Sequence, residues 1–184
     1  MTLYKKNQYR VETTRFANWD YRSGGWYFVT ICTKDKKCSL GSMVGGKIGL
    51  SLAGVIIDRE ISSIAQHNSN VSVDSAVVMP NHVHVIIVID GLHQYSPESK
   101  SVDHRPGASL ATIVGGYKSA TTRICRLEGI PDFQWQPRFH DRILGSNAAV
   151  EAVRQYIRQN PENWQEDPDN PKSITLKRSS PEPP

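Results

Sequence analysis

Two histidines separated by one apolar residue, His82-Val83-His84, stand at the start of the most apolar run in the chain, Val85-Ile86-Ile87-Val88-Ile89, which Asp90-Gly91 ends. The run is rich in β-branched residues and reads as a buried strand. Side chains on a strand alternate faces, so His82 and His84 point the same way, one strand step apart. Neutral imidazole is the commonest protein metal ligand. By itself a His-X-His step is a weak motif, which two hydrogen-bonded polar residues at a strand end would explain equally well. A metal site needs a further ligand and a task.

The segment 147–160 offers both. Tyr156 and Asn160 are spaced i, i+4 and share one face of a helix, about one turn apart. The Asn160 amide oxygen is a hard ligand suited to Mg2+ or Mn2+. Two imidazoles and one amide oxygen leave positions open for phosphate and water, and a metal held there is a Lewis acid toward a phosphoryl oxygen. Tyr156 is then placed to attack the phosphorus and form a covalent phosphotyrosine. Without the histidine pair, Tyr156 would read as a core residue beside Val150, Val153 and Ile157. Among the seven tyrosines the rival is Tyr117. It lies in an apolar stripe with Ala120 and Thr121 at i+3 and i+4, neither a convincing ligand, and is expected to be buried.

These residues need a framework. A strand is expected over 26–33, a Gly-rich hairpin excursion over 41–49, and a helix from Leu52 to His67 capped by Ser51. Val71 to Met79 alternates as a second strand, Pro80-Asn81 turns, and the His82–Ile89 strand pairs back on it. A polar loop fills 91–107. A helical stripe runs from Ser109 to Leu127, a last strand interrupted by Pro137 covers 135–144, and Ser146 caps the helix that Pro161 stops. The order gives an α+β ferredoxin-like βαββαβ sandwich with an antiparallel sheet, plus an additional C-terminal helix carrying the nucleophile. Residues 1–24 read as a basic N-terminal arm, 25–162 as one domain, and 163–184 as a Pro-rich charged tail that does not pack.

Bulk properties agree with that frame. The 184 residues are 38% apolar and 22% charged, which is ordinary for a soluble globular domain. No apolar run is long enough for a membrane span, and no apolar stretch follows the basic N-terminus as in a signal peptide. Cys32, Cys38 and Cys125 are odd in number with no paired spacing, which fits a reducing cytoplasm better than a disulfide framework. The formal charge of +4 points weakly to an anionic partner. Lys118, Arg123 and Arg126 on one helix, with Arg138 and Arg142 further on, are the candidate phosphate contacts. A solvated basic face would look the same. Trp19, Trp26 and Trp135 are candidates for stacking on unpaired bases, with Trp26 expected in the core.

Taken in order, these blocks resemble a known family. Met79-Pro80-Asn81-His82-Val83-His84 and its apolar strand resemble the HUH motif (His-hydrophobe-His) of single-tyrosine transposases. The blocks Trp135-Gln136-Pro137-Arg138-Phe139-His140-Asp141-Arg142-Ile143 and Tyr156-Ile157-Arg158-Gln159-Asn160-Pro161 resemble those of its REP-associated tyrosine transposase branch, as does the strand Gly25-Trp26-Tyr27-Phe28-Val29-Thr30. The likeness spans roughly residues 10–165. It implies a metal-dependent endonuclease and strand transferase acting on single-stranded DNA at hairpin-forming palindromes. The histidines would hold the divalent cation, and Asn160 would complete its shell. Tyr156 would become linked to the 5′-phosphate, leaving a free 3′-hydroxyl. It also implies a bacterial, nucleoid-associated cytoplasmic protein with no membrane partner, and leaves monomer or homodimer open. Two other readings compete: a non-catalytic binder of single-stranded or hairpin nucleic acid on a ferredoxin-like scaffold, and a metal-dependent hydrolase of small phosphate compounds that leaves Tyr156 unused.

Overall fold

In the computed structural model the described residues are 24–91 and 108–171. Strand β5 (His82–Ile89) is buried at every position but Val88, as its unbroken apolar sequence requires. It pairs antiparallel with β1 (Gly25–Cys32) on one side and β4 (Val71–Val78) on the other. A short strand β6 (His140–Ile143) closes the far edge of β1. The sheet order β4-β5-β1-β6 and the helices between its strands are those of the expected ferredoxin-like sandwich. The Gly-rich excursion is a separate hairpin of β2 (Gly41–Val44) and β3 (Lys47–Leu50). Its turn places Gly45 and Gly46 at φ 57° and 77°, the left-handed region that a tight two-residue hairpin turn demands.

The alternation of β1 and β5 divides the apolar residues between two faces. Tyr27, Val29, Ile31, Val83, Val85, Ile87 and Ile89 form the larger core with α1 (Leu52–Glu60), α2 (Ser63–Gln66) and α3 (Leu110–Leu127). On the other face Trp26, Phe28, Ile86 and Val88 meet Val150, Val153 and Ile157 of α4 (Asn147–Gln159). His82 and His84 are in phase with Ile86 and Val88, so the fold delivers them to the side that α4 covers. Ile87→Ala is expected to destabilise the chain by about 3 kcal/mol, since a fully buried site leaves a cavity; urea unfolding measures it.

The helix starts follow their caps. The Ser51, Ser109 and Ser146 hydroxyls accept from the amides of Gly54, Thr112 and Ala149. The helix expected over 52–67 is instead split into α1 and α2. There the Ser62 and Ser63 hydroxyls donate to the carbonyls of Arg59 and Glu60, a back-bonding that bends helices. The strand expected over 135–144 contracts to β6. Pro137 interrupts it, and Trp135 makes only an isolated bridge with Thr33.

The C-terminal tail needs a larger correction. Trp164, Asp167 and Asn170 are buried, so the packed stretch reaches Asn170 rather than ending at 162. Polar composition argued for a solvated tail, but turn hydrogen bonds organise this stretch. The Asp167 carboxylate accepts from the Asp169 amide at 2.7 Å, and the Asn170 amide donates to the Trp164 carbonyl at 2.9 Å. The rest of the tail, the arm before Gly24 and most of the loop (92–107) lie outside the described residues. Among the described residues no helix is long and apolar enough to cross a membrane.

Candidate metal and nucleophile site

The site begins at the turn between β4 and β5. Asn81 is fully buried, and its Nδ2 donates to the carbonyls of Lys36 at 3.0 Å and Asp169 at 2.7 Å. Those two acceptors fix the amide's orientation and leave Oδ1 facing His82 Nδ1 at 2.8 Å. His82 must therefore carry its proton on Nδ1 and donate it to Asn81. A bare lone pair remains on Nε2, the tautomer a metal-binding histidine needs.

His84 is set by β1. Thr30 stands opposite it in the register, and the Thr30 hydroxyl lies 2.9 Å from His84 Nδ1. A hydroxyl donates or accepts equally well. His84 can thus present Nε2–H to His82, or a lone pair to a cation. The two Nε2 atoms face each other at 3.0 Å. Burial pushes the His82 pKa down to about 4, with Asp169 pulling upward and Lys36 downward. Burial, and then the neighbouring His82, push His84 down to about 3. Both rings are neutral near pH 7, the form that ligates metals.

Helix α4 brings the tyrosine to this pair. The Tyr156 hydroxyl lies 3.4 Å from His84 Nε2, and the ring packs edge-on against Phe28 with centroids 5.9 Å apart. Burial raises the phenol pKa, the Asp167 charge raises it further, and a hydrogen bond with Asn160 opposes both. The helix is clamped across the sheet edge by Arg154. Its Nε donates to Asp74 Oδ2 at 2.8 Å and its Nη2 to Asp74 Oδ1 at 2.5 Å. The same guanidinium sits 5.5 Å from the Trp26 ring centre, so Trp26 takes part in positioning α4. Tyr117 is elsewhere: it is buried in the α3 core, and its hydroxyl donates to the Ile57 carbonyl at 2.9 Å.

Two oxygen atoms complete the arrangement. Asn160 Oδ1 and Asp167 Oδ2 are buried without a hydrogen-bond partner, a costly state for polar atoms unless something positive meets them. Asp167 Oδ2 lies 4.0 Å from His82 Nε2, and ligand atoms of His82, His84 and Asp167 lie within 4.8 Å of one another. Two imidazole nitrogens and hard oxygens fit a divalent cation of the Mg2+ or Mn2+ type. Sequence reasoning missed Asp167. The available signal was the turn-forming run Asp167-Pro168-Asp169-Asn170 after an isolated Trp164. The segment is tied down by Lys36, whose ammonium meets Asp169 at 2.7 Å. Burial is the largest single influence on the Asp169 carboxyl and pulls its pKa up, but the bond to Lys36 and the charges of His82, Lys36 and His84 together bring it below the usual value.

The five basic residues do not gather at this site. Lys118 is half-buried, and its ammonium donates to the carbonyls of Gln136 at 2.5 Å and Pro137 at 3.2 Å. It pins the 136–138 segment rather than presenting its charge to solvent, and burial lowers its pKa. Arg123 and Arg126 line a groove of about 710 Å3 with Lys118, on the helix that packs the opposite face of the sheet. Trp135 is buried and donates to the Thr121 hydroxyl at 3.1 Å, so it belongs to the core rather than to a stacking surface. Arg142 pairs with Phe28 in the register and so shares the histidine face. Arg138 lies just before β6.

No protein-family profile matches the chain. It is 27% identical over 175 residues to an uncharacterized protein of Haemophilus influenzae, covering 90% of this chain and 96% of the relative. Its structure superposes on that of a REP-associated tyrosine transposase bound to a REP hairpin, with a TM-score of 0.56 and 19% identity, over 82% of this chain and 72% of that one. The chain has a tyrosine-transposase fold. That fold is the mixed α+β arrangement with a four-stranded antiparallel sheet expected from the sequence, and the likeness read from the histidine, tryptophan and tyrosine blocks is borne out at this level.

Proposed function

We propose that the protein is a metal-dependent endonuclease and strand transferase acting on single-stranded DNA at hairpin-forming palindromes, with Tyr156 as nucleophile. One observation carries this reading. A tyrosine hydroxyl stands 3.4 Å from one of two neutral histidines, beside two buried oxygens that have no partner. The REP hairpin in the structural neighbour supports the choice of substrate. A small-molecule phosphohydrolase would need no such tyrosine. All five side chains come from one chain, so a monomer suffices to build the site.

His82, His84, Asn160 and Asp167 would hold the cation, Mg2+ or Mn2+, which supplies Lewis-acid polarisation of the phosphoryl group when bound. Asn81 holds His82 in the ligating tautomer, and the Thr30 hydroxyl orients the His84 ring and accepts its Nδ1 proton when Nε2 is the ligating atom. The Tyr156 oxygen forms a bond to phosphorus, the bond from phosphorus to the 3′-oxygen breaks, and that oxygen takes up a proton. The phenol gives up its own proton. The product strand stays linked through a 5′-phosphotyrosine, and a later 3′-hydroxyl reverses the exchange. Such a partner would place the protein at the bacterial chromosome.

A 3′-labelled hairpin oligonucleotide tests this. With Mn2+ or Mg2+ the label should shift to a denaturation-resistant protein adduct, and chelation should abolish it. Hairpin binding that survives chelation, with no cutting under any divalent cation, would favour the non-catalytic binder. Asn81→Ala is expected to weaken Mn2+ binding about 10–100-fold through loss of the His82 tautomer, measured by calorimetric titration.

A further inference from the structure

A cavity of about 610 Å3 opens between the β2–β3 hairpin and residues 161–171, lined among others by Ser42, Met43, Glu162, Trp164 and Asn170. It adjoins the site described above. Trp164 lines it, and its ring lies 6.1 Å from the His82 ring. Pro161 and Pro80, both in its wall, adjoin Asn160 and Asn81 in the chain. The opening thus adjoins the histidine pair, with the Trp164 ring between them.

The lining chemistry selects what can enter. None of the lining residues is Lys or Arg, and the carboxylate present is Glu162. A phosphate would be repelled there. The groove on the other face of the sheet is the reverse case, with Lys118, Arg123 and Arg126 in its wall. An indole edge, a thioether, an amide and a carboxylate suit a flat neutral ring with N–H donors. We propose that this cavity receives one unpaired nucleobase flanking the phosphate at Tyr156. Trp164 and Met43 would supply apolar contact, and Glu162 would accept from the base's N–H groups. The inference rests on the proposed chemistry only for which phosphate lies next door.

Cys38 also lines the cavity and is exposed, whereas Cys32 and Cys125 are buried. That makes a readout independent of cutting. The Tyr156→Phe protein is mixed with hairpin oligonucleotides carrying an abasic position at each unpaired nucleotide in turn. Affinity and the rate of Cys38 alkylation are then measured. The intact hairpin should slow alkylation about tenfold, and one abasic position should restore the rate and weaken binding by about tenfold, the scale of one lost base contact. Ser42→Trp, which fills the cavity from an exposed position, should reproduce the abasic loss on the intact hairpin. Equal affinity and equal protection at every abasic position would overturn the base site, even if the wild-type protein cuts DNA normally. A wild-type protein that never cuts, yet shows position-dependent protection of Cys38, would overturn the nuclease reading and keep the base site.

Discussion

Tyr156→Phe should lose strand cleavage by about ten-thousand-fold or more while binding the hairpin as tightly as the wild type, because the proposed mechanism rests on one nucleophilic oxygen atom that nothing replaces. The substitution is structurally mild. Tyr156 is 41% exposed, and a phenylalanine keeps the edge-on contact with Phe28. The matched control is Tyr117→Phe. It removes a hydrogen bond to the Ile57 carbonyl at a cost of about 1 kcal/mol of stability, and it should leave cleavage intact. Single-turnover cutting of a labelled hairpin, together with urea unfolding of both variants, separates the two tyrosines. Active Tyr156→Phe beside inactive but folded Tyr117→Phe would reverse the assignment.

His84→Ala should weaken Mn2+ binding by more than about 100-fold, since it removes a proposed ligand where loss of an outer-sphere partner alone costs about 10–100-fold. Cleavage should fall with it. Asp167→Asn keeps the shape of the side chain and removes the charge, so it should weaken Mn2+ binding in the same direction by a smaller factor. Thermal unfolding reports on the same equilibrium. A ligand that binds only the folded state raises its stability with concentration. Mn2+ should therefore raise the melting temperature of the wild type, raise it less in Asp167→Asn, and leave His84→Ala unmoved. An identical Mn2+ response in wild type and Asp167→Asn would remove that carboxylate from the site.

How far the sequence discloses this site differs from residue to residue, for physical reasons. His82 and His84 announce themselves because a strand has period two and the run after them is too apolar to be anything but buried. Tyr156 and Asn160 follow from the helical period and the Ser146 cap. Local patterns of this kind survive folding because the same backbone hydrogen bonds create them. Asp167 has no such pattern. It reaches His82 through a turn held by Asn81, Lys36 and Asp169, and the contact between Asn81 and Asp169 is made across 88 residues. Averaged composition therefore counted it with a solvated tail. Lys118 fails in the opposite way. Its charge reads as a surface feature, yet three successive carbonyls take up the ammonium, and only the tertiary path of the 136–138 segment could reveal that. Arg123 and Arg142 are close in sequence terms but separated by the sheet, which linear reading does not register.

The central claim is that the pair at His82 and His84 serves one tyrosine. The most direct test traps the protein on a hairpin oligonucleotide with Mn2+, digests with trypsin and nuclease, and locates the nucleotide mass by tandem spectrometry. The account predicts a 5′-phosphonucleotide on the four-residue peptide from Gln155 to Arg158, present with metal and absent after chelation. Cleavage accompanied by a nucleotide on the Tyr117 peptide, or by none on any tyrosine, would contradict it.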